Sequence, residues 1–138
     1  MAAAPAHIFV YGTLRADHDH HMARRLLAQA RLVGRGRAPG LLYDCGWYPA
    51  ALFDKCEKQQ VIGDVFALAP GARLLAELDA YEAGDPNYAR APLDVTLDSG
   101  GTIVAWAYGV IKAPNAKLIP GGDFIAHWNA KNPRPTRR

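Results

Sequence analysis

Three places in this chain carry residues with chemical capability. The first is Tyr11-Gly12-Thr13-Leu14, where the apolar run that begins at His7 stops. A strand that ends in glycine and opens towards a helix presents consecutive backbone N–H groups, which bind an anionic or carbonyl oxygen. Gly12 would then serve a ligand's close approach or a positive φ; a strand end that needs glycine for its own path is the plainer reading. The second is the cluster Asp17, His18, Asp19, His20 and His21. Its nitrogen and oxygen donors are of the kind that zinc or iron takes. His18 and His21 can share a helical face, but no HExxH is present and no distant ligand is placed to complete a site, so a solvated helix start is the default. His7 and His127 stand alone and read as structural or solvent-facing.

The third is a carboxylate. Residues 70–82, "PGARLLAELDAYE", have the spacing of an amphipathic helix. On a wheel of roughly 100° per residue, Glu82 falls about 40° from the mean direction of Leu74, Leu75, Leu78 and Tyr81. Glu77 and Asp79 fall roughly 100° to either side. One acid is therefore aimed towards the core, where an unpaired carboxylate is costly. It also lies in the last turn, where the helix dipole disfavours negative charge. Burial and dipole both favour the protonated form, as suits a general acid or base working near neutrality. A salt bridge from Glu82 to Arg90 or another arginine explains the same position, and spacing does not choose between them.

The elements that must position these groups follow from composition. "HIFVY" (7–11) is a β-branched and aromatic run that predicts a strand feeding the turn. Residues 20–30 carry Met22, Leu26, Leu27 and Ala30 at helical spacing. Residues 31–44 are punctuated by glycine and predict short strands with a tight bend at Pro39-Gly40. Tyr48-Pro49, in the aromatic stretch 46–53, is a candidate rigid turn, and residues 59–68 predict a strand bent at Gly63. "AGDPNY" ends the helix of residues 70–82. Residues 91–112 predict a hairpin across Ser99-Gly100-Gly101, and residues 120–128 a turn into a terminal helix with Asp123 as N-cap. This order predicts a mixed α/β (α+β) fold with a curved, barrel-like sheet flanked by a few helices.

The 138 residues, 50% hydrophobic and 21% charged, fit one globular domain, with a core of about 7–128 and a basic tail at 129–138. The net charge of +3 lies largely in that tail, and no basic stripe with interleaved aromatics argues for nucleic acid. "MAAAPA" lacks the basic start of a secretory signal, and no apolar run approaches the roughly 18 residues of a membrane span. A cytoplasmic location is expected. Cys45 and Cys56 fit neither a CxxC pair nor a disulfide framework and read as reduced, partly buried thiols.

"FVYGTLR", "YPAAL", "VIGDVFAL", "LLAELDAYEA…NYAR", "AWAYGV" and "LIPGGDF", in this order, resemble the γ-glutamylcyclotransferase-like (AIG2-like) family, from about Ile8 to Phe124. The resemblance implies a small mixed α/β domain around a barrel-like sheet with a cavity at one end. It implies that Tyr11, Gly12, Thr13 and Leu14 hold a γ-glutamyl group through backbone amides, with Glu82 as acid/base. Tyr88 and Arg90 match positions that line or brace the cavity, and Tyr108 a position whose hydroxyl could reach the substrate. The implied reaction is intramolecular acyl transfer: the α-amine of a γ-glutamyl amine or amino acid attacks its own γ-carbonyl, giving 5-oxoproline and a free amine. It requires no metal and no cofactor. The expected partner is the small-molecule substrate alone, without nucleic acid or membrane, and a homodimer is left open. A non-catalytic small-molecule binding domain of the same fold is the alternative. "ADHDHH" (16–21) departs from the family pattern after Arg15, on the leaving-group side of the pocket.

Overall fold

The computed structural model describes residues 7–12, 30–46, 49–69, 76, 78–80 and 87–131. Among the described residues are seven strands and one bounded helix: β1 (His7–Val10), β2 (Ala30–Asp44), β3 (Pro49–Phe53), β4 (Gln60–Leu68), β5 (Tyr88–Leu97), β6 (Thr102–Val110), β7 (Lys117–Leu118) and α1 (Phe124–Lys131). Residues 76 and 78–80 are also helical.

Five strands close into a barrel. β2 pairs with β4, β4 with β1, β1 with β6, β6 with β5, and β5 returns to β2 through Gly36↔Leu97 and Arg37↔Thr96. Closure leaves these strands few unpaired edges. β1 runs parallel to β6, with Ile8 opposite Trp106, while the other pairings are antiparallel. Alternation along each strand separates two apolar clusters. Phe9, Tyr11, Val61, Val65, Val95, Ala105 and Ala107 join the larger one, with Phe124 and Ile125 of α1. Ile8, Val10, Phe66 and Tyr108 point the other way and meet Leu78.

Residues 31–44 depart from the expectation of short strands about a bend. They lie in one strand, β2, whose register shifts between Leu32 and Gly34. Pro39-Gly40 marks a change of partner: β4 pairs with β2 up to Pro39↔Gln60, and β3 pairs from Gly40↔Phe53 onwards. Proline has no N–H to give the β4 ladder, so the ladder ends there and the next residues turn to β3. Ala30, expected at the end of a helix, opens β2 because it pairs with Leu68; residues 20–29 lie outside the described residues. Gly63 permits a close approach: a Cβ there would stand 2.3 Å from the Val10 carbonyl oxygen and 2.8 Å from the Phe9 ring.

The hairpin of β5 and β6 turns through Gly100 and Gly101, both at positive φ (110° and 86°). It begins at Tyr88, earlier than expected, because Tyr88↔Val110 and Arg90↔Tyr108 extend the ladder. Asp123 caps α1 as expected, accepting from the Ala126 N–H at 3.2 Å. The helix runs to Lys131, past the expected start of the tail. Cys45 is half-buried, but Cys56 is exposed, a correction explained by the turn between β3 and β4, where Asp54 accepts from the Cys56 N–H. No described helix is long and apolar enough to cross a membrane.

Candidate active site

The parallel pairing of β1 with β6 brings the ends of both strands to one end of the barrel, and antiparallel β5 starts there. Tyr11 and Gly12 leave β1, Tyr108 lies near the end of β6, and Tyr88 and Arg90 open β5. Residues 78–80 pack against the same end through Leu78, which is fully buried beside Tyr108, Tyr88 and Trp106.

Tyr11 is an anchor. Its ring meets Phe53 edge-on at 5.6 Å between centroids, and its hydroxyl donates to the Tyr108 carbonyl at 2.5 Å. The bond ties the exit of β1 to β6 across 97 positions of sequence. Gly12 has no positive φ. A Cβ there would stand 2.8 Å from Cγ and 2.9 Å from Cδ of Pro49. The glycine therefore makes room for a proline ring at the start of β3. Thr13, Leu14 and Glu82 lie outside the described residues.

Tyr88, Arg90 and Tyr108 are neighbours on the hairpin. Tyr88 donates to the Pro49 carbonyl at 2.7 Å, bracing the proline that packs on Gly12. Arg90 faces Tyr108 across the ladder and Trp106 on the diagonal, where its guanidinium carbon lies 4.3 Å from the ring centroid. Its Nε donates to Oδ1 of Asp79 at 2.9 Å and its Nη2 to Oδ2 at 3.1 Å. This is the parallel two-bond geometry that suits guanidinium and carboxylate. The Tyr108 hydroxyl donates to the same Oδ1 at 2.5 Å.

Asp79, Trp106 and Pro49 were not among the expected site residues. Asp79 sat at the border of the helical wheel, where its partner depends on the register of strands far along the chain. The salt-bridge reading paired Glu82 with Arg90 or another arginine; the described partner of Arg90 is Asp79.

Other candidates stand apart from this end. His127 lies 2.8 Å from Oδ2 of Asp44, joining α1 to the end of β2 as a structural contact. Among the described residues no group of three or more His, Cys, Asp and Glu side chains is placed to hold a metal ion. His18, His20 and His21 lie outside the described residues.

Comparison with known proteins gives this arrangement a family. A profile described as gamma-glutamyl cyclotransferase, AIG2-like, matches residues 8–128. A Drosophila melanogaster protein provisionally named gamma-glutamylcyclotransferase CG2811 is 28% identical over 133 residues, covering 90% of this chain and 81% of its own. A Methanocaldococcus jannaschii protein with a similar provisional name, MJ1514, is 24% identical over 118 residues, covering 86% of this chain and 94% of its own. The crystal structure of a mouse AIG2-like protein superposes with a TM-score of 0.73 at 25% identity, over 98% of this chain and all (100%) of that one. YkqA from Bacillus subtilis gives 0.73 and 25% over 95% of this chain, which spans only 44% of the YkqA chain. The chain belongs to the AIG2-like gamma-glutamyl cyclotransferase family.

Proposed function

We propose that this protein is a cyclotransferase that converts a γ-glutamyl amine or γ-glutamyl amino acid to 5-oxoproline and a free amine. One observation carries the reading: a hydrogen-bonded path runs from the exit of β1, through Tyr11 and Tyr108, to Asp79 on the helical segment that precedes Glu82. Tyr11, at the exit of β1, and Asp79, three positions before Glu82 in sequence, are thus joined through Tyr108. Arg90 is held by Asp79, so of the salt bridges considered for Glu82 the one to Arg90 loses its cation, and one to another arginine stays open. The loss of the first supports Glu82 as the acid/base.

The substrate's own α-amine is the nucleophile, so the entropic cost of joining two reactants is largely absent. The remaining work is proton transfer. The α-ammonium loses one proton before its nitrogen attacks the γ-carbonyl carbon, and the tetrahedral intermediate loses a second as the five-membered lactam forms. The C–N bond to the departing group breaks, and the departing nitrogen takes up two protons to leave as an ammonium. One carboxylate within hydrogen-bond reach can carry these protons in turn, and that role belongs to Glu82. The amides of Gly12, Thr13 and Leu14 receive the substrate carboxylate or the carbonyl oxygen as it becomes anionic. Tyr11, Tyr88 and Tyr108 hold the frame, and Arg90 braces its edge.

The test is a panel of γ-glutamyl amines and γ-glutamyl amino acids, assayed for 5-oxoproline with Glu82→Gln alongside. Release from at least one compound, with a loss of at least about 100-fold in Glu82→Gln, supports the proposal. Full activity in that variant refutes the role of Glu82. Calorimetric binding of a γ-glutamyl compound with no turnover identifies a binding domain instead.

A further inference from the structure

The contact of α1 with the end of β2 reaches the candidate site through one rung of a ladder. Pro49 fills the space beside Gly12 with its ring and accepts the Tyr88 hydroxyl on its carbonyl. It opens β3, where proline has no N–H to give the ladder. Its partner in register is Asp44, the last residue of β2. The Asp44 side chain ties down this weak end. Its Oδ1 accepts the Gly46 N–H at 2.8 Å, which fixes the start of the turn after β2, where Gly46 has a φ of 105°. Its Oδ2 lies 2.8 Å from Nε2 of His127. An ionised carboxylate only accepts hydrogen bonds, so Nε2 carries the hydrogen and donates it. The Asp44 side chain is 14% exposed, so water would replace a lost donor only in part. The helix that bears His127 is itself held by Phe124 and Ile125, in the same buried cluster as Tyr11.

From these contacts we infer that His127 is a positioning residue for substrate binding: through Asp44 it fixes the last rung of the β2–β3 ladder and so keeps Pro49 against the Gly12 turn. The inference rests on the Gly12 turn receiving the substrate under the proposed function. His127 acts through Asp44 and Pro49 and is assigned no contact with the reacting atoms. A turn shifted from its place holds substrate and transition state less well alike, so the loss falls on KM rather than on kcat.

The test compares the wild type with His127→Gln, His127→Leu, Pro49→Ala and the His127→Leu/Pro49→Ala double variant, on the γ-glutamyl compound that the wild type turns over fastest. Glutamine keeps an N–H donor on a side chain of similar reach; leucine has none. His127→Leu is expected to raise KM at least about fivefold with kcat within about twofold of the wild type. His127→Gln is expected to hold KM within about twofold of the wild type, because the donor is restored. In the Pro49→Ala background His127→Leu should add less than about twofold, since the route through the ring is already gone. Wild-type KM in His127→Leu, a loss confined to kcat, a KM in His127→Gln as high as in His127→Leu, or an undiminished rise on top of Pro49→Ala overturns the inference. Thermal melts accompany every assay. Asp44→Ala, which removes the acceptor, is the second variant and carries the same expectation for KM. If neither His127→Leu nor Asp44→Ala folds, the contact serves stability alone and the inference fails. If the wild type itself releases no 5-oxoproline from any compound, the proposed function fails and this inference with it; every other negative outcome bears on His127 alone.

Discussion

Gly12→Ala separates two reasons for a glycine at the exit of β1. In the first, the residue leaves room for a ligand; in the second, for Pro49. The added Cβ would lie 2.8 and 2.9 Å from two ring carbons of Pro49. Carbon atoms in contact prefer about 3.5–4.0 Å, so one group must move by roughly 0.7 Å or more. A proline ring at the start of a strand has no rotamer to escape into. Its carbonyl also accepts the Tyr88 hydroxyl, so moving Pro49 strains a second contact. Overpacking of this kind costs about 1–3 kcal/mol. For a domain of this size that is a fall in Tm of roughly 3–12 °C. The assay is urea denaturation of the wild type, Gly12→Ala, Pro49→Ala and the double variant. Removing the ring carbons should relieve the clash, so the cycle should show a favourable coupling of at least about 1 kcal/mol. A Gly12→Ala protein within about 0.5 kcal/mol of the wild type, with no coupling to Pro49, would refute the packing argument. If that protein also fails to bind 5-oxoproline in calorimetry, the glycine serves the ligand.

Two further outcomes follow from single hydrogen bonds. Tyr11→Phe keeps the ring contact with Phe53 but loses the hydroxyl bond to the Tyr108 carbonyl; urea denaturation should show a loss of about 1 kcal/mol. Asp123→Ala removes the side chain that caps α1 through the Ala126 N–H, and the same measurement should register about 1 kcal/mol.

The sequence carried the elements better than their partners. β1, β4 and the β5–β6 hairpin were legible because β-branched and aromatic residues alternate between glycine and proline boundaries. The Asp123 cap was legible because capping is local in sequence. β2 was misread because a proline and a glycine in mid-strand signal a turn when neighbours are unknown. Here they mark the exchange of β4 for β3. The candidate site divides in the same way. Tyr88, Arg90 and Tyr108 were found as positions, but the contacts that give them roles were not. Asp79 meets Arg90 over 11 positions of sequence and Tyr108 over 29. Such pairings depend on strand register, which no wheel or window contains.

The parallel pairing of β1 with β6 explains why Tyr11, Tyr88, Arg90 and Tyr108 meet at one end of the barrel. Two parallel strands finish on the same side, so the turn after Val10 and the end of β6 are neighbours although most of the chain separates them, 97 positions between Tyr11 and Tyr108. β5 is antiparallel to β6, so its first residues join them. Strand ends are where backbone groups leave the ladder and become free to bind something else. A site placed there can take a ligand on main-chain donors without disturbing the sheet. The strands supply rigidity through Tyr11 and Tyr108, and the segments that leave them are free to differ between relatives and, under the proposed function, to set which amine departs. On this logic, exchanging residues 16–21 for those of a relative should alter the choice of leaving amine. The requirement for Glu82 should stay the same.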